Sequence, residues 1–258
     1  MATILPPPYT PPAALLSQLR GRGYAVLPPQ AVAELCAVDL AALHALRPAW
    51  DDLVEDHYLK DGGRYRSRRH SCFVVDPDGV ALAPHRAHWQ SLEYNALHGG
   101  MHRWFEPIDP GTLAVPAWPR LIGSLARVFS QVTEVDRWFV EAHQFRIDTG
   151  EGIGRPTPEG AHRDGVDFVA VLLVDRSGIR GGETRVFAAD GPDGQRFTLG
   201  EPWSLLLLDD ARVIHESTPI QPDQVQVPGA PAMPGHRDTL VLTYRANGFQ
   251  GEEATIPG

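Results

Sequence analysis

VDFVAVLLV, residues 166–174, is a short run of strand type with turn residues on its flanks, and similar runs surround it. WFVEAHQFRI (138–147), ETRVFA (183–188), WSLLLLD (203–209), RVIHES (212–217) and DTLVLTYR (238–245) are separated by Gly, Pro and Asp turns, with no long helix between them. Parallel strands need helical crossovers to connect them, so these runs predict antiparallel pairing in a mainly β sandwich or jelly roll.

The N-terminal half reads differently. PAALLSQLRGRG (12–23) predicts a short amphipathic helix stopped by Gly21 and Gly23, and YAVL (24–27) a strand. QAVAELCAVDLAALHAL (30–46) keeps its apolar residues at helical spacing and predicts one helix ending before Pro48; PRLIGSLARVFSQV (119–132) predicts another. Residues 1–135 are therefore expected to be a helical and strand support, and 136–248 a jelly-roll core, in a single domain spanning 1–258. No repeat, heptad seam or long linker argues for a second unit. The proline-rich segment 218–236 is read either as a lid over a site or as a surface connection.

A formal net charge of -9 makes nucleic acid and anionic lipid surfaces poor partners. GGRYRSRRH (62–70) is the local exception; of a pocket for an anionic small molecule and a solvated surface strand, the second is preferred for so short a basic run. Two cysteines, Cys36 and Cys72, cannot build a thiolate zinc cage or a disulfide framework. The opening MATILPPPYTPP lacks the basic segment and apolar core of a signal peptide, and LLLL at 205–208 is far too short to span a bilayer. A soluble cytoplasmic protein acting on a small molecule is expected, with a homodimer the base-rate assembly.

PEGAHRDG (158–165) carries the chemistry. On an extended segment, His162 and Asp164 point to the same face, as chelation by near neighbours requires. His215 in RVIHES is available as a third ligand from a later strand. Two imidazoles and one carboxylate make the facial triad of non-haem Fe(II) oxygenases, which leaves positions open for an oxo acid and dioxygen. A 2-oxoglutarate cosubstrate needs a guanidinium for its distal carboxylate. Arg237 and Arg245, at the two ends of the last strand and of one parity with Thr239, Val241 and Thr243, are the candidates. Gln144 and Arg146 are read equally as contacts near the cosubstrate and as a cross-strand polar pair. His143 and His236 are the alternative imidazoles. Asp209 and Asp210 are read as a turn rather than as an acid–base pair. Gly181-Gly182 is read as a turn, and GEGIGRPTPEG (150–160) lacks the strand-loop-helix order of a dinucleotide site.

His162, Asp164, His215 and Arg237, with GGET at 181–184, resemble the double-stranded β-helix, cupin-like dioxygenases that depend on iron and 2-oxoglutarate. More narrowly, HQFRID, PTPEGAHRDGVDFV, GGET, HESTPI and RDTLVLTYR resemble the bacterial family that contains isoleucine dioxygenase and the BsmA-like proteins, over roughly residues 137–247. The resemblance implies hydroxylation of an aliphatic carbon, often on a free amino acid, with 2-oxoglutarate converted to succinate and carbon dioxide. It implies Fe(II) on His162, Asp164 and His215, and the cosubstrate's basic anchor on Arg237 at the start of the last strand. The spacing of 22 positions from His215 to Arg237 is longer than is common in the wider superfamily, because of the proline-rich insertion. The competing readings are a non-catalytic cupin-like protein that binds metal or a small acid in a stress or biofilm response, and a zinc hydrolase using two His and one Asp. For the charged ends of an amino acid, Arg66, Arg68, Arg69, Glu93 and Arg245 are candidates; Arg163 should point away if its neighbours point inward.

Overall fold

Each of the six runs forms a strand, and the alternation of side chains along them sorts the interior into two layers. In the computed structural model, which describes residues 5–95, 97, 99–223 and 234–252, the elements are α1 (Leu15–Arg22), β1 (Tyr24–Leu27), α2 (Pro29–Leu35), α3 (Leu40–His44), β2 (Val54–Glu55), β3 (Arg66–Asp76), β4 (Gly79–Leu82), α4 (Pro110–Leu113), α5 (Ala117–Thr133), β5 (Trp138–Asp148), β6 (Phe168–Ser177), β7 (Ile179–Gly181), β8 (Thr184–Ala188), β9 (Gly194–Phe197), β10 (Leu205–Asp209), β11 (Val213–Ser217), β12 (Ile220–Pro222) and β13 (His236–Arg245). Short 3-10 turns occupy Pro12–Ala14 and Arg47–Trp50.

The large sheet has eight strands in the order β1-β10-β6-β13-β5-β3-β2, with β4 on β3. Its pairings are antiparallel. Facing it are the three-stranded sheet β11-β8-β9 and the ribbon β12-β7, which complete a jelly roll. Phe168, Ala170 and Leu172 of β6, Val140 and Ala142 of β5, and Leu240, Leu242 and Tyr244 of β13 pack with Leu121, Leu125 and Phe129 of α5. The intervening residues, Val169 and Leu173 among them, pack with Val186, Phe197, Leu206 and Val213. One face of the large sheet therefore carries the helical layer, and the other lines the interior of the roll.

Phe129 is the keystone of the helical layer: its ring stacks on Phe168 at 4.4 Å and meets Tyr244 edge-on at 4.8 Å. Phe129→Ala is expected to destabilise the protein by about 3–5 kcal/mol, read by denaturant unfolding. No single helix among the described residues is long and apolar enough to cross a membrane.

The single helix expected over 30–46 is two, α2 and α3, the second running on into the Arg47–Trp50 turn at 98° to the first. Ala37 adopts φ 52°, and Asp39 begins a new helix by accepting a hydrogen bond from the Ala42 amide at 2.7 Å. Periodicity runs through this break because both pieces bury their apolar residues, while the aspartate N-cap resets the backbone. Within the segment 218–236, read as a lid or a connection, residues 224–233 lie outside the described residues.

Candidate active site

The HRDG stretch is not a strand, but one antiparallel bridge fastens it to β11: His162 and His215 exchange backbone hydrogen bonds, each 3.0 Å. The bridge sets the two imidazoles side by side, ring centroids 4.7 Å apart. Asp164 closes the group, with Oδ1 3.9 Å from His162 Nε2 and Oδ2 3.7 Å from His215 Nε2. A cation with bonds of about 2.1 Å needs donors about 3 Å apart, so a contraction of roughly 0.8 Å makes a chelate.

The surroundings suit that use. His162 Nδ1 lies 2.9 Å from the Gly160 carbonyl and donates to it, which turns the Nε2 lone pair inward. Burial opposes a charged His162, yet the Asp164 and Glu159 carboxylates outweigh it and hold the imidazole above its ordinary range. Burial and the neighbouring His162 hold His215 well below its range, so His215 is neutral. A cation here replaces the proton on His162, and neutral His215 has one ring lone pair to offer.

Asp210 holds the loop in place. Its carboxylate accepts from the amides of Asp164 (2.9 Å), Gly165 (2.7 Å) and Val166 (3.2 Å). Burial and the Asp164 charge raise its carboxyl above the ordinary range. Gln250 Nε2 ties the other side through the carbonyls of Asp164 (2.7 Å) and Gly165 (2.8 Å). Gly165 has φ +76°, and a Cβ there would fall 2.4 Å from the Tyr94 ring, so the turn after Asp164 requires glycine.

Arg237 lines the same cavity as His162, Asp164 and His215. It is 4% exposed, and its Nε has no hydrogen-bond partner among the described residues. Burial and repulsion from Arg176, against the pull of Asp238, push the guanidinium down to about 10. Beside the arginine stem, Gly182 adopts φ +67°, which L side chains rarely take, and a Cβ there would lie 3.1 Å from Ile220 Cγ2. This buried cation, short of an anion, is the kind of group that receives a carboxylate.

Two expected cosubstrate contacts lie elsewhere. Arg245 shares the parity of Arg237 but sits at the far end of β13, outside the cavity, with Nη1 3.4 Å from the Gly248 carbonyl. Gln144 is fully buried and does not line the cavity, because Glu141, His143, Phe145 and Ile147 of β5 occupy that face. Arg146 forms a cross-strand pair with Asp238, two hydrogen bonds of 2.8 and 2.7 Å. Arg163 points away from the triad, as expected, its guanidinium 5.9 Å from the Tyr94 ring centroid.

The basic run 62–70 is not the solvated surface strand expected. Arg66 and Arg68 are buried and line the cavity, whereas Arg69 reaches outward to the Pro107 and Asp52 carbonyls. Alternation was the available signal: β3 buries Arg66, Arg68 and His70 and leaves Ser67 and Arg69 partly exposed. Glu93 is exposed and off the cavity. Gln90 and Arg103 come from the irregular connection between β4 and α4, where no periodicity marks them.

A second group, His70, His88, Glu141 and His143, also brings metal-type donor atoms within 4.8 Å of one another. Glu141 Oε2 accepts from His70 Nε2 at 2.9 Å and His88 Nδ1 at 2.6 Å. Arg68 Nη2 lies 2.6 Å from His143 Nδ1. Because a guanidinium only donates, His143 keeps its proton on Nε2, which occupies the lone pair a metal would need. Burial lowers the three imidazoles, His88 to about 4, so this group is a carboxylate clamped by neutral donors. His236 belongs to an ion-pair network at the start of β13, with Nε2 2.9 Å from Asp175 Oδ2.

A jelly roll with two histidines, an aspartate and a buried arginine, unpaired among the described residues, around one cavity has the architecture of the non-haem iron oxygenases. The family model for 2OG-Fe dioxygenases matches residues 47–243, and the chain belongs to that family. The family consists of enzymes that use Fe(II) and 2-oxoglutarate, which sets aside the non-catalytic binding module and the zinc hydrolase. The crystal structure of a BsmA homologue from Methylobium petroleophilum PM1 is 50% identical, with TM-score 0.88, covering 98% of this chain and 100% of that one. IDO from Bacillus thuringiensis is 19% identical (TM-score 0.73; 92% and 100% covered). The Fe(II)/α-ketoglutarate-dependent dioxygenase TqaL is 17% identical (TM-score 0.69; 95% and 90% covered). These last two share the fold alone. No curated protein matches the chain.

Proposed function

We propose that His162, Asp164 and His215 hold Fe(II), that Arg237 receives the distal carboxylate of 2-oxoglutarate, and that the enzyme hydroxylates an aliphatic carbon of a free L-amino acid in the cytoplasm. One observation carries this reading: a buried arginine lacking an anion lies in the same cavity as three convergent ligand side chains. The donor set fits the metal, two neutral imidazole nitrogens and one hard oxygen anion. When bound, the iron supplies the dioxygen activation that couples decarboxylation of 2-oxoglutarate to hydroxylation.

The chain's own residues orient and shield. Gly160 and Asp210 hold His162 and the Asp164 loop in ligating posture. Arg237 fixes the far end of the keto acid, and Val171, Val241 and Phe145 give the cavity apolar walls against which an aliphatic chain can lie. Walls carrying both signs of charge suit a small zwitterion.

The test is a panel of the twenty protein L-amino acids with Fe(II), ascorbate and 2-oxoglutarate. Succinate and a hydroxylated product are expected in a one-to-one ratio for a subset. Succinate release that no amino acid stimulates would remove the substrate assignment. Asp210→Asn, which places an amide NH2 among three backbone donors, is expected to weaken Co(II) binding about 10–100-fold with little change in fold, read by anaerobic titration.

A further inference from the structure

One wall of the cavity is basic. Arg66, Arg68 and Arg103 line it at 6%, 3% and 2% exposure. The Arg68 guanidinium lies over the rings of Phe105 and Phe145, 3.7 and 4.5 Å from their centroids, which fixes its plane. Asp56 is matched with Arg66 at 2.7 Å and lies 3.8 Å from Arg68. Arg103 Nη2 donates to Gln90 Oε1 at 2.9 Å, and Gln90 Nε2 reaches Asp164 Oδ1 at 3.4 Å. The Nε atoms of Arg68 and Arg103 have no hydrogen-bond partner among the described residues.

Three guanidiniums are thus buried around two carboxylates, Asp56 and Glu141, and Arg66 and Arg103 repel Arg68. Glu159 is beside the triad, its Oε1 3.5 Å from His162 Nε2. Its Oε2 is buried and without a hydrogen-bond partner among the described residues. Arg103 feels the charge of Glu159, so the two lie within electrostatic reach of each other. Of the charged side chains that line the cavity, Arg66, Arg68, Arg103 and Arg237 face Glu141, Glu159 and Asp164, and Asp56, which does not line it, is matched with Arg66. With that pair set aside, three guanidiniums oppose three carboxylates, so the walls are polarised rather than of one sign. A substrate of net charge would leave one buried charge uncompensated, and an uncharged one would leave both ends unmatched.

Resting on the function proposed above, we propose that Arg68 and Arg103 receive the substrate's α-carboxylate and Glu159 its α-ammonium, so that these three side chains select for the zwitterion. Arg237 remains dedicated to the cosubstrate. Neither end is read by Arg69, Glu93 or Arg245, which lie off the cavity.

The experiment is anaerobic calorimetric titration of protein loaded with Fe(II) and 2-oxoglutarate, using the best L-amino acid from the panel, its decarboxylated amine and its deaminated acid. For L-leucine these are isopentylamine and 4-methylpentanoate. Wild type is expected to prefer the amino acid over both analogues by at least about 100-fold. Arg68→Met should abolish the preference over the amine and keep the preference over the deaminated acid. Glu159→Gln should do the reverse. Arg103→Gln should behave as Arg68→Met does, which covers a folding failure of either arginine variant. Equal binding of all three probes by wild type, or an unchanged preference in Glu159→Gln and both arginine variants, would overturn the assignment. The visible band of an iron-bound keto acid, recorded on the same samples, tests the parent reading separately: its absence speaks against the cosubstrate site, while the calorimetry still reads the subsite.

Discussion

Asp164→Ala is expected to leave the protein folded, to weaken Fe(II) binding by more than about 100-fold and to abolish succinate release coupled to hydroxylation. Loss of a partner that merely orients a ligand costs about 10–100-fold in metal affinity, so loss of the only anionic ligand must cost more. The fold should survive because the Asp164 side chain contributes little to the core; its backbone, which alanine keeps, makes the contacts to Asp210 and Gln250. Removing the carboxylate also takes away the first-named charge that raises His162, so the His162 imidazole should titrate lower in the metal-free variant. Metal analysis after gel filtration, circular dichroism and succinate assays check the three parts. Activity equal to wild type in Asp164→Ala would remove the triad.

Arg237→Met should raise the KM for 2-oxoglutarate by roughly 100-fold, since truncating one member of a buried charge pair commonly costs 2–5 kcal/mol. The same substitution should stabilise the protein when no ligand is bound. A guanidinium pushed down to about 10 by burial is a cation that folding disfavours. Its folded value lies below its unfolded one, so the charge costs stability at neutral pH, on the order of 1–3 kcal/mol, and methionine removes that cost. Thermal melts with and without 2-oxoglutarate should therefore change in opposite senses: a higher melting point without ligand, and a smaller rise on adding it. Arg245→Met should leave the KM for 2-oxoglutarate unchanged. If Arg245→Met alone raised it, the anchor would be at the other end of β13.

What was legible in the sequence followed from period-two alternation. The runs from 138 to 245 had the right length and punctuation, and the parity that puts Arg237, Thr239, Val241 and Thr243 on the cavity face could be counted along the chain. The same parity overreached at Arg245, because it says which way a side chain points and not how far along the strand the cavity extends. The same parity is present in the basic run: Arg66 and Arg68 alternate with Ser67 and Arg69 on β3, although the charge of such a run by itself predicts a solvated surface. The helix break at 36–39 was hidden because both pieces bury apolar residues, although Asp39 stood as a capping residue within the run. Asp210 was correctly a turn residue, but its grip on the three amides of the HRDG loop joins positions 44–46 residues apart, which no local pattern reports. Gln90, Arg103 and Glu159 lie on irregular chain and acquire their places only through the folded cavity.

The most direct test of the central claim is anaerobic titration of the purified protein with Fe(II) and 2-oxoglutarate, followed by visible absorption. A weak charge-transfer band, saturating at one iron and one keto acid per chain and absent from folded His215→Ala, is the predicted result. Its absence from folded, iron-loaded wild type, or its persistence undiminished in His215→Ala, would contradict the assignment of His162, Asp164 and His215 as the iron site.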